Sequence, residues 1–173
     1  MDVAAGLDNI ISTVELHLRP RRTPDHRAES DALVALAGSL ASKPEDVLEI
    51  LTRAALDLTR AHSAGISLLD GNGTRFFWPA MAGRWADKVG GGTPREFGPC
   101  GVVLDRNAPV LLSYPERHFP YLAAELPIVE ALLTPFYVNG AAVGTVWVIA
   151  HDVSRQFDRE DLRLLMSLGK VAS

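Results

Sequence analysis

The residues best able to do chemistry in this 173-residue chain are one cysteine, Cys100, and five histidines. A thiol beside a helix N-terminus has a lowered pKa and becomes a redox-sensitive nucleophile, and Gly98-Pro99-Cys100 places Cys100 at such a start; the simpler reading is a small buried apolar residue. One thiol excludes an internal disulfide framework and any cysteine-rich zinc site. His17, His26, His62, His118 and His151 lie far apart, without the i, i+4 or cysteine-paired spacing of metal ligands. Gly90-Gly91-Gly92 could cradle a phosphate, but no Lys-Ser/Thr follows, so the reading is a mobile connection. No nucleophile-elbow sequence accompanies the serines. Asp158, Glu160 and Asp161 are explained as stabilisers of a helix N-terminus rather than as an acid/base pair. The densest polar and aromatic stretch is Tyr114-Pro115-Glu116-Arg117-His118-Phe119-Pro120-Tyr121, in a chain only 7% aromatic.

The chain that must position these groups is 47% hydrophobic and 22% charged with a net charge of −4, enough apolar mass for one domain's core. Acidic balance and scattered cations argue against nucleic acid as a partner. The one basic cluster, Arg19, Arg21 and Arg22, is broken by Pro20 and closed by Pro24, and reads as a linker. After Met1-Asp2 no basic n-region or uninterrupted apolar run follows, so no secretory leader is expected, and a lone cysteine fits a reducing cytoplasm. From Ala131 to His151 no formal charge appears for 21 positions, long enough to span a bilayer. Pro135, Asn139-Gly140 and Gly144 oppose a membrane helix, and Asn-Gly between β-branched and aromatic runs predicts a buried hairpin, Leu132–Val138 and Ala141–Ala150, apolar on both faces.

Helical spacing over Leu7–Leu18 predicts a short amphipathic helix before the linker, and Ser30–Ala41 predicts another. Ser42-Lys43-Pro44-Glu45 matches a capping box opening a helix with Val47, Ile50, Leu51, Ala54, Leu58 and Ala61 on one face. The period changes to two from Gly65, and Asp70-Gly71-Asn72-Gly73 turns into a strand over Arg75–Ala82, with Pro79 marking an edge or a bulge. Gly98–Arg106 reads as a short helix leading to a strand at Val110–Ser113. Asp158 caps the last helix, Asp161 sits at its third position, Phe157 staples onto Leu162, and Leu162, Leu165, Leu168 and Ala172 face inward.

This order of elements resembles the GAF domain, a small-molecule sensor module of signalling proteins, over roughly Pro44 to Ala172. The resemblance is carried by Ala64-Gly65-Ile66-Ser67-Leu68-Leu69-Asp70, by Gly98–Leu112, by Ala131–Ala150 and by Phe157–Leu165. It looks closest to GAF modules associated with bacterial sensor histidine kinases. The resemblance implies an α+β fold, an α/β/α sandwich with a central antiparallel sheet of five or six strands. Long N- and C-terminal helices would cover one face and a pocket the other. It divides the chain into an N-terminal helical segment, 1–41, and a sensor domain, 42–173.

Mapped onto that fold, the pocket walls would be Phe97–Leu104 and Tyr114–Tyr121, with Trp78, Phe136, Tyr137 and Trp147 as floor candidates. The implied ligand-binding set is Trp78, Phe97, Cys100, Leu104, Tyr114, Arg117, His118, Phe119, Tyr121 and Trp147, with no catalytic residue, no metal and no named cofactor. Bland readings stand beside these: Trp147 as core, His118 as a loop residue bonded to a carbonyl, Arg117 as a solvated charge. Departures from specialised members narrow the chemistry. Phe157 and Asp161 match part of a cyclic-nucleotide motif, but Leu162 replaces its Glu and Gly140 follows Asn139. Gly101 follows Cys100 where bilin-binding members often have His, and one thiol cannot resolve an oxidised nucleophile as the family's free methionine sulfoxide reductases require. The expectation is a non-enzymatic sensor of an unidentified small molecule. It would act as a parallel homodimer through Ser30–Ala61 and the C-terminal helix, with no membrane or nucleic-acid partner. The alternatives are a ligand-free dimerisation scaffold and a redox sensor through Cys100. Gly169-Lys170-Val171-Ala172-Ser173 has no proline stop, which predicts a helix continuing toward a kinase or other effector.

Overall fold

A computed structural model describes residues 3–122 and 126–172, with side chains from residue 6 onward; Met1-Asp2 and Ser173, used above for leader and chain-end readings, lie outside the described residues. The elements run α1 (Val3–Asp8), α2 (Glu15–Leu18), α3 (His26–Ser42), α4 (Val47–Thr59), β1 (Ser63–Leu69), β2 (Arg75–Gly83), β3 (Gly92–Pro94), α5 (Pro99–Arg106), β4 (Val110–Ser113), β5 (Glu130–Val138), β6 (Ala141–Ala150) and α6 (Arg159–Ala172). The six strands form one antiparallel sheet in the order β3-β2-β1-β6-β5-β4. The fold is therefore α+β, as expected.

The uncharged stretch is the β5–β6 hairpin. Asn139 and Gly140 both have positive φ, 51° and 80°, the geometry that a tight hairpin of matching twist requires. Its two faces are both buried because the sheet separates two cores. Leu132, Val146, Val148 and Ala150 pack with Leu51 and Ala55 of α4, Leu36 of α3 and Leu165 and Leu168 of α6. Ala131, Leu133, Trp147 and Ile149 face the opposite core with Trp85, Cys100, Val103 and Phe119. Alternation on a pleated strand accounts for the division.

Several local expectations change. Residues 7–18 do not form one helix: α1 ends at Asp8, Ile11 makes a bridge to Leu112, and α2 is a single turn. Edge strand β4 has unpaired backbone groups that this crossing satisfies, through Ser12 N–H to Leu111 O at 2.8 Å and Ser113 N–H to Ile10 O at 2.8 Å. Helix α3 starts earlier than expected, because Asp25 accepts from the Ala28 N–H and caps it. Ser42 does not cap α4; its hydroxyl donates to Gly38 O, and a 3-10 turn at Pro44–Asp46 leads into the helix. The triple glycine is no bare loop, since Gly92 opens β3 opposite Phe77, and a Cβ there would sit 2.1 Å from Phe76 O. Pro79 lies in a bulge: Ile66 pairs with Ala80 and Leu68 with Phe77, leaving Trp78 and Pro79 opposite Ser67.

The Arg/Pro segment is a packed strap rather than a linker. Arg19 pairs with Glu130, Arg21 with Glu160 and Arg22 with Asp161, all three carboxylates being buried. The chain has already crossed the sheet by then, with Ile10 in the pocket-side core and Leu16 in the helix-side core. At α6, Asp158 accepts from the N–H groups of Glu160 and Asp161, while Asp161 accepts from the Asp158 N–H, the reciprocal cap expected. Glu160 and Asp161 also have an ion-pairing role that dipole reasoning missed.

Candidate functional site

On the sheet face away from the long helices lies a cavity of about 50 Å³. Its floor is Ser67 of β1, Trp78 of β2, Thr93 of β3, Ala131 and Leu133 of β5, and Trp147 and Ile149 of β6; Trp85, Pro99, Cys100, Pro115, Leu122 and Ile128 complete the walls. The bulge opposite Ser67 re-aims Trp78, and Pro99 opens the short helix that carries Cys100. Gly65 stands opposite Trp147, whose ring occupies the space of a side chain there: a Cβ on Gly65 would lie 2.3 Å from Cζ2. Glycine at this position lets the indole lie flat on the sheet.

Ser67 is the polar centre of the floor. Its hydroxyl oxygen accepts from Trp147 Nε1 at 2.9 Å and from the Cys100 thiol at 3.3 Å, and Thr145 donates to Cys100 Sγ at 3.2 Å. Burial pushes the Cys100 thiol up, and the two hydroxyl contacts only partly offset it. Cys100 is thus a buried thiol, the simpler of the two sequence readings, rather than one activated by the helix start.

Trp85 is held from behind. Its backbone N–H donates to Ser63 Oγ, 3.1 Å away, whose hydroxyl meets His151 Nε2 at 2.8 Å, and His151 Nδ1 lies 2.9 Å from Pro127 O. Nδ1–H donates to that carbonyl, and in the neutral ring Nε2 then accepts from Ser63 Oγ. Burial lowers its pKa in agreement. The His151 ring tilts against Trp85 with centroids 5.1 Å apart, and Trp147 meets it edge-on at 6.3 Å. Trp85 is 6% exposed, and its Nε1 is, among the described residues, a buried side-chain donor without a partner. Stranding such a donor costs on the order of 1–3 kcal/mol.

Of the residues proposed from sequence, Trp78, Cys100 and Trp147 meet at the cavity. Phe119 is buried in the same core behind it, and Leu104 packs at that core's margin without lining the cavity. Phe97 and His118 lie on an outer groove with Leu7, their rings 5.6 Å apart. Tyr114 and Arg117 are exposed and stack on each other at 4.7 Å. Tyr121 donates to Phe97 O, and burial first, then the nearby Cys100, push its phenol up to about 12. Phe136 is not floor: it belongs to the core under the long helices, and Tyr137 bonds Asn107 outside. Strand parity explains Phe136, which shares the face of Leu132, whereas Tyr137 follows the register shift between Phe136 and Tyr137 near the hairpin end. Sequence reasoning missed Ser67, Thr93 and Trp85, although Ser67 shares the pleat face of Gly65.

Among the described residues, no Asp, Glu, Lys, Arg or His lines the cavity. Among the described residues no group of three or more His, Cys, Asp and Glu could hold a metal, and no helix is long and apolar enough to cross a membrane.

The GAF domain family model matches residues 41–173, and the chain belongs to this family. GAF domains are ligand-binding sensory domains of signalling proteins. No curated protein matches the sequence. Solved structures share the fold. The GAF domain of an Acinetobacter phosphoenolpyruvate-protein phosphotransferase is 22% identical, with TM-score 0.69 over 87% of this chain and 92% of that one. Free methionine-R-sulfoxide reductase from Neisseria meningitidis in complex with its substrate is 17% identical, with TM-score 0.68 over 89% and 92%. The second GAF domain of DevS from Mycobacterium smegmatis is 20% identical, with TM-score 0.63 over 75% and 91%.

Proposed function

We propose that this chain is a non-enzymatic sensory input domain that binds a small molecule between Trp78, Trp85 and Trp147 and passes occupancy to the helical face. The carrying observation is a cavity walled by all three tryptophans of the chain around one buried polar cluster, Ser67 with Cys100. Apolar walls with few convergent polar groups are what a small-ligand site requires. The sole thiol is buried and raised in pKa, which favours binding over the reductase chemistry of one structural neighbour and over a redox sensor. Residues 42–173 carry the sensor in this reading and 1–41 its strap and first dimer helix.

Transmission would use the strap. Gly6 lies against His118, where a Cβ would meet Nδ1 at 2.9 Å, Ile10 enters the pocket-side core, and Arg21 and Arg22 hold Glu160 and Asp161 at the start of α6. A ligand that favours one arrangement of the wall from Pro115 to Leu122, which carries His118 on its outer side, would bias α6 by its differential affinity for the two states. Output is a parallel homodimer through α3, α4 and α6, in the cytoplasm and upstream of a histidine kinase or another effector; Val34 on α3 is 69% exposed and free for such packing.

Native mass spectrometry of the purified chain, with a thermal-shift screen of neutral metabolites, nucleotides and amino acids, tests the reading. A bound mass or a stabilising compound that also moves the tryptophan indole N–H signals supports it. The small size of the cavity favours one rival, a dimerisation scaffold filled by its own side chains. No adduct, no stabilisation and a retained dimer by light scattering would establish that rival.

A further inference from the structure

His62 joins α4 to β1, and its backbone is tied to the sheet: its N–H donates to Ile149 O at 2.9 Å and its carbonyl accepts from the Arg84 N–H at 2.9 Å. The ring makes a different bond, with Nδ1 2.8 Å from the His151 backbone nitrogen. A backbone N–H only donates, so Nδ1 is the acceptor and the ring proton of this arrangement sits on Nε2. A second proton has to enter at Nδ1, where it would face that same N–H, so the bond and the imidazolium exclude each other. His151 is 3% exposed, and losing this acceptor strands a buried donor. The His62 side chain keeps 15% of its surface exposed, enough for a solvent proton to reach it. What holds residue 151 also holds the cavity wall. Its ring bonds Pro127 O and Ser63 Oγ, the latter also accepting from the Trp85 N–H at 3.1 Å, and Trp85 and Ile128 line the cavity.

We propose that His62 is a proton-operated latch on the cavity wall: neutral, it holds the His151 backbone and through it the segments carrying Trp85 and Ile128; on taking a proton at Nδ1 it releases them, and the cavity loosens its grip on an occupant. The charges facing the ring are Asp152, 4.0 Å from Nε2, Arg84, 3.6 Å from that carboxylate, and Arg155, with the His151 ring stacked at 6.2 Å; Arg84 and Asp152 face His151 as well. Burial first, then Arg84, oppose the charged form of His62 and hold it below its ordinary 6.5. The latch is therefore closed above 6.5 and opens as pH falls below it. As regulation of the cavity it rests on the sensory reading above, but its mechanics need no ligand.

The test uses the full chain, unliganded and labelled with ¹⁵N, titrated from about pH 8 to about pH 5. At the upper end, long-range ring spectra should show the His62 proton on Nε2. As pH falls, the His151 and Trp85 backbone amide signals should move with one midpoint, below 6.5 and shared with the His62 ring. Exchange of the His151 amide, corrected for its intrinsic pH dependence, should quicken about 2- to 10-fold, the range that one hydrogen bond supplies. His62→Asn places an amide oxygen where Nδ1 stands and carries no titratable group, so both signals should stay in place. His62→Ala should show the released signals at every pH. A His62 proton on Nδ1 at the upper end, amide signals that stay still while the ring titrates, or the same movement in His62→Asn, which assigns it to His151, overturns the latch. The wild-type outcomes stand alone should a variant fold poorly. None of these readouts uses a ligand, so a blank metabolite screen removes the sensory reading and leaves the latch to stand or fall on its own midpoints.

Discussion

Asp161→Asn tests whether the strap is held by charge or only rests on the fold. The Asp161 side chain is 0% exposed and receives two bonds of 2.7 Å from Arg155, bonds of 2.8 and 3.2 Å from Arg22, and one of 2.8 Å from the Asp158 N–H. Asparagine keeps the shape but removes the charge and turns two donors toward guanidiniums. Removing one partner of a buried ion pair costs about 3–5 kcal/mol. Two facts place this site at the low end: Arg155 and Arg22 keep 16% and 19% of their side chains exposed, and burial already pushes the Asp161 carboxyl up against their pull. The expected loss is therefore about 3 kcal/mol, or about 6–12 °C in Tm for a chain of this length. Urea unfolding followed by circular dichroism should show a lower midpoint with an unchanged slope, since the exposed surface is the same. Hydrogen exchange should quicken at the Ser12 amide, which bonds Leu111 O where the strap crosses β4. A cycle with Arg22→Met should be non-additive, because the two groups touch. A loss below about 1 kcal/mol, the scale of an exposed pair, with additive cycles would refute the clasp.

Further outcomes follow from the site and its surroundings. Gly65→Ala drives a Cβ into the Trp147 ring and should cost about 1–3 kcal/mol while displacing the Trp147 indole signal; wild-type stability with that signal in place would contradict the packing. Cys100, 7% exposed with its thiol pushed up, should react with a disulfide reagent at neutral pH only as fast as the chain opens, and rapid labelling of the native protein would restore the redox-sensor reading. His62 and His151 are both lowered, burial being the first cause, from an ordinary 6.5. The unfolded chain then takes up their protons first, so stability is full above 6.5 and declines as pH falls toward the folded values. Glu160, held down to about 2 by Arg163 and then Arg21, adds a separate loss only as pH falls from 4.5 toward that value. Denaturant midpoints measured across both windows check this, and a flat profile between pH 7 and about 5.5 would rule out the histidine part.

Local pattern and tertiary contact divided the molecule between them. The Asn-Gly turn, Asp158 as cap, Pro79 at a bulge and the strand at Val110–Ser113 were legible because each is set by interactions within a few residues. The α+β class followed from their order, and three of the cavity residues, Trp78, Cys100 and Trp147, from the family resemblance. Arg19, Arg21 and Arg22 read as a linker because their partners lie more than a hundred residues away. Trp85 was passed over for the same reason, as its His151, Trp147 and Ser63 neighbours come from distant segments.

The sequence by itself determined five of the six strands, where the hairpin turns, that the central hairpin would be apolar on both faces, and that one thiol limits the chemistry. Only the tertiary structure decided which face each aromatic occupies, since a single bulge between Ile66 and Leu68 shifts the parity of β2 and brings Trp78 to the cavity. It also decided that a run of arginines is a clasp and that one indole N–H is left over, because charge pairing and donor satisfaction depend on proximity across the fold and leave no periodic trace along the chain.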